Sequence, residues 1–327
     1  AFLGFATMGC VAVLVTFIVA RDLVLLAVTG LRRAFKAPAV DPSKRRFFLQ
    51  ASNAGIAAAA AGVAGAGLQG GQQAPSVERI DLPIKNLHND LIGLKIVQIS
   101  DLHLGATSGV EEMKRVADRV QALEPDLIAV TGDLVDGPVE ELAEGLAPLL
   151  KMSAPLGVHF CTGNHEYYAG WKPWCEHLQA KGWKVLINEH KLLQHGEAKV
   201  MVAGIPDRKA PRFEPTHACD LAKTLAGCGS PDLRLLLAHQ PRSIAELKPG
   251  SFDLMLSGHT HGGQFFPFTL LVHLFQPLVA GLYREKDMWV YVNRGTTHWG
   301  PPLRLGARQE ITLLTMRREA TDPSPQR

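Results

Sequence analysis

The stretch Lys95-Ile96-Val97-Gln98-Ile99-Ser100-Asp101-Leu102-His103-Leu104-Gly105 decides the fold. Its opening residues are mostly aliphatic and β-branched, which predicts a short buried strand over Lys95–Ser100. The strand runs straight into Asp101 and His103. Two residues apart in an extended chain, they point to one side. The pattern then repeats. Asp126–Val130 predicts a strand leading into Gly132-Asp133, and Val158–Thr162 one leading into Gly163-Asn164-His165-Glu166. Leu233–Ala238 leads into His239, and Asp253–Ser257 into Gly258-His259-Thr260-His261. Lys199–Ala203 and Met288–Asn293 predict two more strands.

Helical spacing appears over Glu111–Leu123, with Met113, Val116, Ala117, Val120 and Leu123 on one face. Leu142–Leu150 and Trp174–Lys181 predict further short helices. Strands and helices alternate first, and the strands then crowd together. That predicts a layered α/β (α+β) fold, a sheet sandwich flanked by helices.

A lone Asp or His after a strand is usually a turn or cap residue. Five strand ends that each present a ligand-type side chain point instead to one site, because loops at the C-terminal edge of a sheet converge there. The donor set suits two divalent ions, since Mn, Fe or Zn accept carboxylate, amide oxygen and neutral imidazole together. Asp101 and His103 can chelate one ion, Asp133 can bridge both, Asn164 offers a neutral oxygen, and His259 and His261 can serve one ion each. Two such cations lower the pKa of water and neutralise charge developing on a phosphoryl group.

The blocks DLHLG, GDLVDG, GNHE, AHQP and GHTHGG, in this order over residues 94–316, resemble the signatures of the calcineurin-like metallophosphoesterase superfamily. The resemblance implies a four-layer sandwich of two mixed β-sheets flanked by helices, with a dinuclear site at one edge. It implies Asp101, His103, Asp133 and His261 at one metal, and Asp133, Asn164, His239 and His259 at the other. His165 would be the catalytic histidine that contacts phosphoryl oxygens or protonates the leaving group. The tail Asn293-Arg294-Gly295 with Pro302-Leu303-Arg304-Leu305-Gly306 is similar to the membrane-anchored bacterial branch, which includes exported phosphodiesterases and a UDP-diacylglucosamine pyrophosphatase.

The superfamily's protein phosphatases carry an arginine in GD-x-x-D-R-G, whereas this chain has Asp136-Gly137-Pro138. Without that fork a dianionic monoester is captured less well, so a phosphodiester or pyrophosphate is expected. Arg208, Arg212, Arg294 and Arg304 could replace the fork, with Arg294 and Arg304 the expected substrate contacts. The alternatives are a phosphomonoesterase, a non-catalytic metal-binding scaffold, or an outer domain of a transport component.

Residues 1–20 carry no charge, and after Arg21-Asp22 the apolar run resumes to Leu31. Residues 1–31 are expected to form a transmembrane segment. The start at Ala1 leaves room for spans upstream. Residues 32–75 hold a basic loop with Arg32, Arg33, Lys36, Lys44, Arg45 and Arg46, marking a cytoplasmic side. Ser43–Leu49 is similar to a twin-arginine export signal, and the Ala/Gly run Ala54–Leu68 follows it, with Ala64-Gly65-Ala66 as a candidate cleavage site; the alternative is a weak second span. Either way residues 76–327 form the phosphoesterase domain outside the cytoplasm, at the inner (plasma) membrane.

Residues 265–282 form an apolar run after the last ligand block. The run predicts either buried core or an apolar lip at the membrane, and the lip favours a lipid substrate. Tyr167, Tyr168, Trp171 and Trp174 either stack on substrate or pack a helix start. His298 and Trp299 receive no role. Cys219 and Cys228 are a possible extracytoplasmic pair. With 34 Lys+Arg against 31 Asp+Glu, the +3 charge gives no basis for nucleic-acid binding.

Overall fold

The computed structural model describes residues 1–38 and 40–319. Two long helices, α1 (Phe2–Ala34) and α2 (Pro42–Gly71), precede the domain. Then follow β1 (Ser76–Ile84), β2 (Lys95–Ile99), α3 (Val110–Gln121), β3 (Leu127–Val130), α4 (Val139–Leu146) and β4 (Val158–Phe160). The middle of the chain gives α5 (Asn164–Ala169), α6 (Trp171–Ala180), β5 (Lys184–Val185), β6 (Glu189–His195) and β7 (Ala198–Gly204). Last come α7 (Leu221–Leu225), β8 (Leu233–Leu237), β9 (Leu254–Ser257), α8 (Phe268–Phe275), β10 (Gly281–Glu285), β11 (Met288–Val292) and β12 (Glu310–Arg318).

Two six-stranded mixed sheets result, in the orders β1-β12-β2-β3-β4-β5 and β10-β11-β9-β8-β7-β6. Period-two alternation sorts their side chains. Leu235 and Leu237 face the core between the sheets with Ile96, Leu127 and Leu314, while Leu236 faces the outer layer with Met201 and Phe252. On the far side of the first sheet, Met113, Val116 and Val120 of α3 pack on Val97, Ile99 and Val130. Each such buried aliphatic contributes about 1.5–3 kcal/mol. The expected strands and helices all form, with ends shifted by a few residues. β1, β5, β6, β10 and β12 were not expected.

α1 and α2 are each long and apolar enough to cross a membrane. They pair antiparallel: Arg21 bonds Asn53 near the middle, and Gly9 and Gly67 meet the same residue, Leu303. The expected basic loop is short, because the chain is already helical from Pro42, where Asp41 caps the helix by accepting from Ser43 N–H at 2.7 Å. The twin-arginine-like residues therefore form the first turns of α2. The Ala/Gly run also has a packing role. Val13, Ala60 and Ala64 are buried with Phe265 and Leu303 of the domain, and a Cβ on Gly71 would lie 2.2 Å from Pro302 O. Small residues let the hairpin sit directly on the tail block.

Candidate metal centre

The five strand ends converge because their turns are stitched together. Asp101 N–H donates to Gly132 O at 3.0 Å and Leu102 N–H to Asp133 O at 2.8 Å. Glycine permits the close approach: a Cβ on Gly163 would stand 2.1 Å from Asp133 Oδ1, and one on Gly258 2.2 Å from Asp101 Oδ2. Five candidate ligands occupy the left-handed region, with φ of 54° at Asp101, 43° at His103, 53° at Asp133, 70° at His259 and 51° at His261. Each costs about 1–3 kcal/mol, a strain that persists only where surrounding structure enforces it.

One group comprises Asp101, His103 and His261, and another Asp133, His239 and His259. His261 Nε2 lies 3.4 Å from Asp101 Oδ1 and 3.2 Å from His103 Nε2. Asp133 Oδ2 stands between the groups, 3.1 Å from His239 Nε2 and 3.8 Å from His103 Nε2. Asn164 is buried beside them, and its Oδ1 has no hydrogen-bond partner among the described residues.

The chemistry of these donors fits a cation. His103 spends Nδ1–H on Asp136 at 2.8 Å, and His239 spends Nδ1–H on Thr131 O at 2.7 Å. Both are left with a bare Nε2 facing a carboxylate oxygen, an arrangement that needs a cation or a shared proton between the two acceptors. Burial alone would raise Asp101 and Asp133, yet the neighbouring His261 and His239 outweigh it and hold both carboxyls below their usual range. Burial pulls His259 down to about 3, keeping its ring neutral as metal ligation requires.

His165 sits at the mouth. Its Nδ1 lies 2.7 Å from Asp136 Oδ1, so one carboxylate orients both His103 and His165. Burial works against the charged ring, but the bond to Asp136 and the charge of Asp133 dominate and raise its pKa. Tyr168 and Trp299 flank it, with ring centroids 5.2 and 5.6 Å away. Asp136→Asn is expected to lower metal affinity or turnover about 10–100-fold, as loss of an orienting partner does. Metal titration beside steady-state kinetics checks it.

Glu166 braces the whole edge. It accepts from Asp133 N–H at 3.0 Å, Leu134 N–H at 2.7 Å and Gly163 N–H at 2.6 Å. Burial first, then the charge on Asp133, pushes its carboxyl up to about 7. The residue pattern assigns no such role to Glu166 or Asp136, although both lie inside the recognised blocks. Nor does it single out Trp299.

The expected substrate arginines make contacts within the protein. Arg304 is buried behind His261, its guanidinium 3.0 Å from His261 Nδ1 and donating to the carbonyls of Arg294 at 2.7 Å and His261 at 3.0 Å. Arg294 is paired with Glu310 at 3.0 Å and Glu78 at 3.4 Å. Backbone carbonyls and the His261 ring take up the Arg304 guanidinium, whereas Arg294 spends Nη1 on the two carboxylates and stays 30% exposed. Arg208 is paired with Glu246. Trp174 and Tyr167 are buried packing residues, the latter bonding His217 at 2.7 Å, whereas Tyr168 is exposed beside Phe213 and bonded by Lys209 Nζ at 2.8 Å. Cys219 and Cys228 are free thiols. The apolar run 265–282 is not core alone: within it α8 exposes Leu270 (64%), Leu274 (75%) and Phe275 (68%).

The chain matches the family model of the calcineurin-like phosphoesterases over residues 94–263. It is 38% identical over 259 residues to a Danio rerio protein named "Transmembrane protein with metallophosphoesterase domain", covering 77% of this chain and 59% of that one. A putative metallophosphoesterase of Caenorhabditis elegans is 38% identical over 260 residues, covering 77% of this chain and 54% of that one. An uncharacterized metallophosphoesterase of Helicobacter pylori strain J99 is 34% identical over 280 residues, covering 84% and 73%. The chain thus spans a little over half the length of these two animal relatives. With the strand-end motifs, the two mixed sheets and this match in agreement, the chain belongs to the calcineurin-like phosphoesterase family.

Proposed function

We propose that this protein is a dinuclear metal-dependent hydrolase of a phosphodiester or pyrophosphate, with a lipid or nucleotide-sugar moiety. One divalent ion (Mn, Fe or Zn) would sit among Asp101, His103, Asp133 and His261, and a second among Asp133, Asn164, His239 and His259. Bound there, the ions would supply an activated water and would offset charge on the phosphoryl oxygens. The protein's own part is proton placement. Water adds to phosphorus, the P–O bond to the leaving group breaks, and His165, held by Asp136, gives the leaving oxygen its proton. The observation that carries this reading is Asp133, whose Oδ2 faces a bare imidazole nitrogen of each group.

A diester or pyrophosphate fits better than a monoester, because Gly137-Pro138 stands where a phosphate-gripping arginine would, and Arg294 and Arg304 are engaged elsewhere. The basic residues in the last turn of α1, the connection and the first turns of α2 favour a cytoplasmic hairpin turn and an extracytoplasmic domain, with Arg45 and Arg46 acting either as export signal or as anchor. The full chain in detergent with Mn²⁺ is expected to hydrolyse bis-p-nitrophenyl phosphate in preference to p-nitrophenyl phosphate. Preference for the monoester would overturn the argument from the missing arginine. Bound metal with no turnover of either would favour the scaffold.

A further inference from the structure

A cleft of about 490 Å³ opens beside the metal groups, within the usual range of small-molecule sites. One wall is Met8 and Ala12 of α1, and the other is Leu271, Val272 and Phe275 of α8. At its inner end it reaches His259 and His261, with Trp299 at the junction. We propose that this cleft seats the acyl chain of a membrane lipid phosphodiester, which makes the membrane hairpin a wall of the substrate site as well as an anchor. The proposal rests on the hydrolase reading above and names its substrate class.

Three observations select a lipid. The cleft is continuous with the candidate ligands, so an occupant places its phosphate end at the reactive edge. One wall belongs to a helix apolar enough to cross a bilayer. Phe275, in the wall of the cleft, is 68% exposed, an apolar surface that costs free energy in water and gains it against hydrocarbon. The two flanks of His165 also differ in polarity. Trp299 leads into the apolar cleft, whereas Tyr168, Phe213 and the Lys209 ammonium form a polar aromatic ledge on another side. A diester with one acyl-bearing and one polar arm matches both.

The test uses the full chain in phosphatidylcholine vesicles, with a diacylglycerol p-nitrophenyl phosphodiester and soluble bis-p-nitrophenyl phosphate as paired substrates. Met8→Asp and Leu271→Asp are expected to lower the lipid-to-soluble ratio of kcat/KM at least about ten-fold, because a charge in the cleft opposes entry of a chain. Leu270→Asp, on the same helix but outside the cleft, should leave that ratio near wild type. An equal drop in Leu270→Asp would reduce α8 to a general membrane contact and overturn the proposal, as would an unchanged ratio in the two cleft variants. A second readout needs no turnover: brominated acyl chains should quench tryptophan fluorescence of the metal-free protein less in Trp299→Phe than in wild type. Quenching indifferent to Trp299 and to Leu271→Asp would also reject the cleft. Failure to hydrolyse even bis-p-nitrophenyl phosphate would sink the hydrolase reading and leave the quenching result to decide the lipid site.

Discussion

Asp133→Asn is expected to abolish hydrolysis of bis-p-nitrophenyl phosphate, by about 10³-fold or more, and to strip the protein of part of its metal. The side chain is fully engaged. Oδ2 stands 3.1 Å from His239 and 3.8 Å from His103, and Oδ1 accepts His165 N–H at 2.8 Å. Asparagine keeps the shape but loses the charge, and one amide end then points N–H groups either at a bare imidazole or at the backbone N–H it should accept. Charge stabilisation by cations held at this carboxylate would be worth several kcal/mol of barrier, and each 1.36 kcal/mol is about ten-fold in rate. Metal analysis by mass spectrometry beside the rate decides the matter. A variant that keeps both metal and rate would remove Asp133 from the centre.

The second large effect belongs to Glu166, which touches no candidate substrate position. Glu166→Ala leaves the N–H groups of Asp133, Leu134 and Gly163 buried without an acceptor. At about 1–3 kcal/mol for each orphaned donor, the loss approaches the whole net stability of a domain, about 5–15 kcal/mol. Thermal unfolding should show a steep drop in Tm. Glu166→Gln retains an acceptor oxygen and should recover part of it. A wild-type Tm in the alanine variant would mean that these turns hold without the brace.

The interior strands were legible because they are buried on both faces and so appear as mainly apolar runs: KIVQI, LIAV, LRLLL. β1 and β6 are edge strands with solvent-facing Glu78, Asp81, Glu189 and Lys191, and their charges break that signal. β12 lies inside its sheet, yet Thr312, Thr315 and the terminal Arg317-Arg318 interrupt its run. The candidate ligands stood out because glycines and ligand-type residues follow strands at five places. The contacts of Arg304 were not legible, for a physical reason. Position in a motif does not say on which side of His261 a long side chain lies, and the carbonyls behind that ring claimed it. The exposure of α8 was also hidden, since an apolar run reads the same against core or bilayer.

The placement of β12 has a consequence for biosynthesis. This strand inserts between β1 and β2, parallel to the first and antiparallel to the second. A nascent chain that has already presented every candidate ligand through His261 still lacks the piece that joins β1 to its sheet. Domains usually condense as they emerge from the ribosome, N-terminal parts first, but pairings between distant segments must wait for loop closure. Here the hairpin of α1 and α2 is complete long before its docking partner Leu303 exists. The ordering by topology is therefore hairpin first, domain second, and chemistry only once β12 has been made.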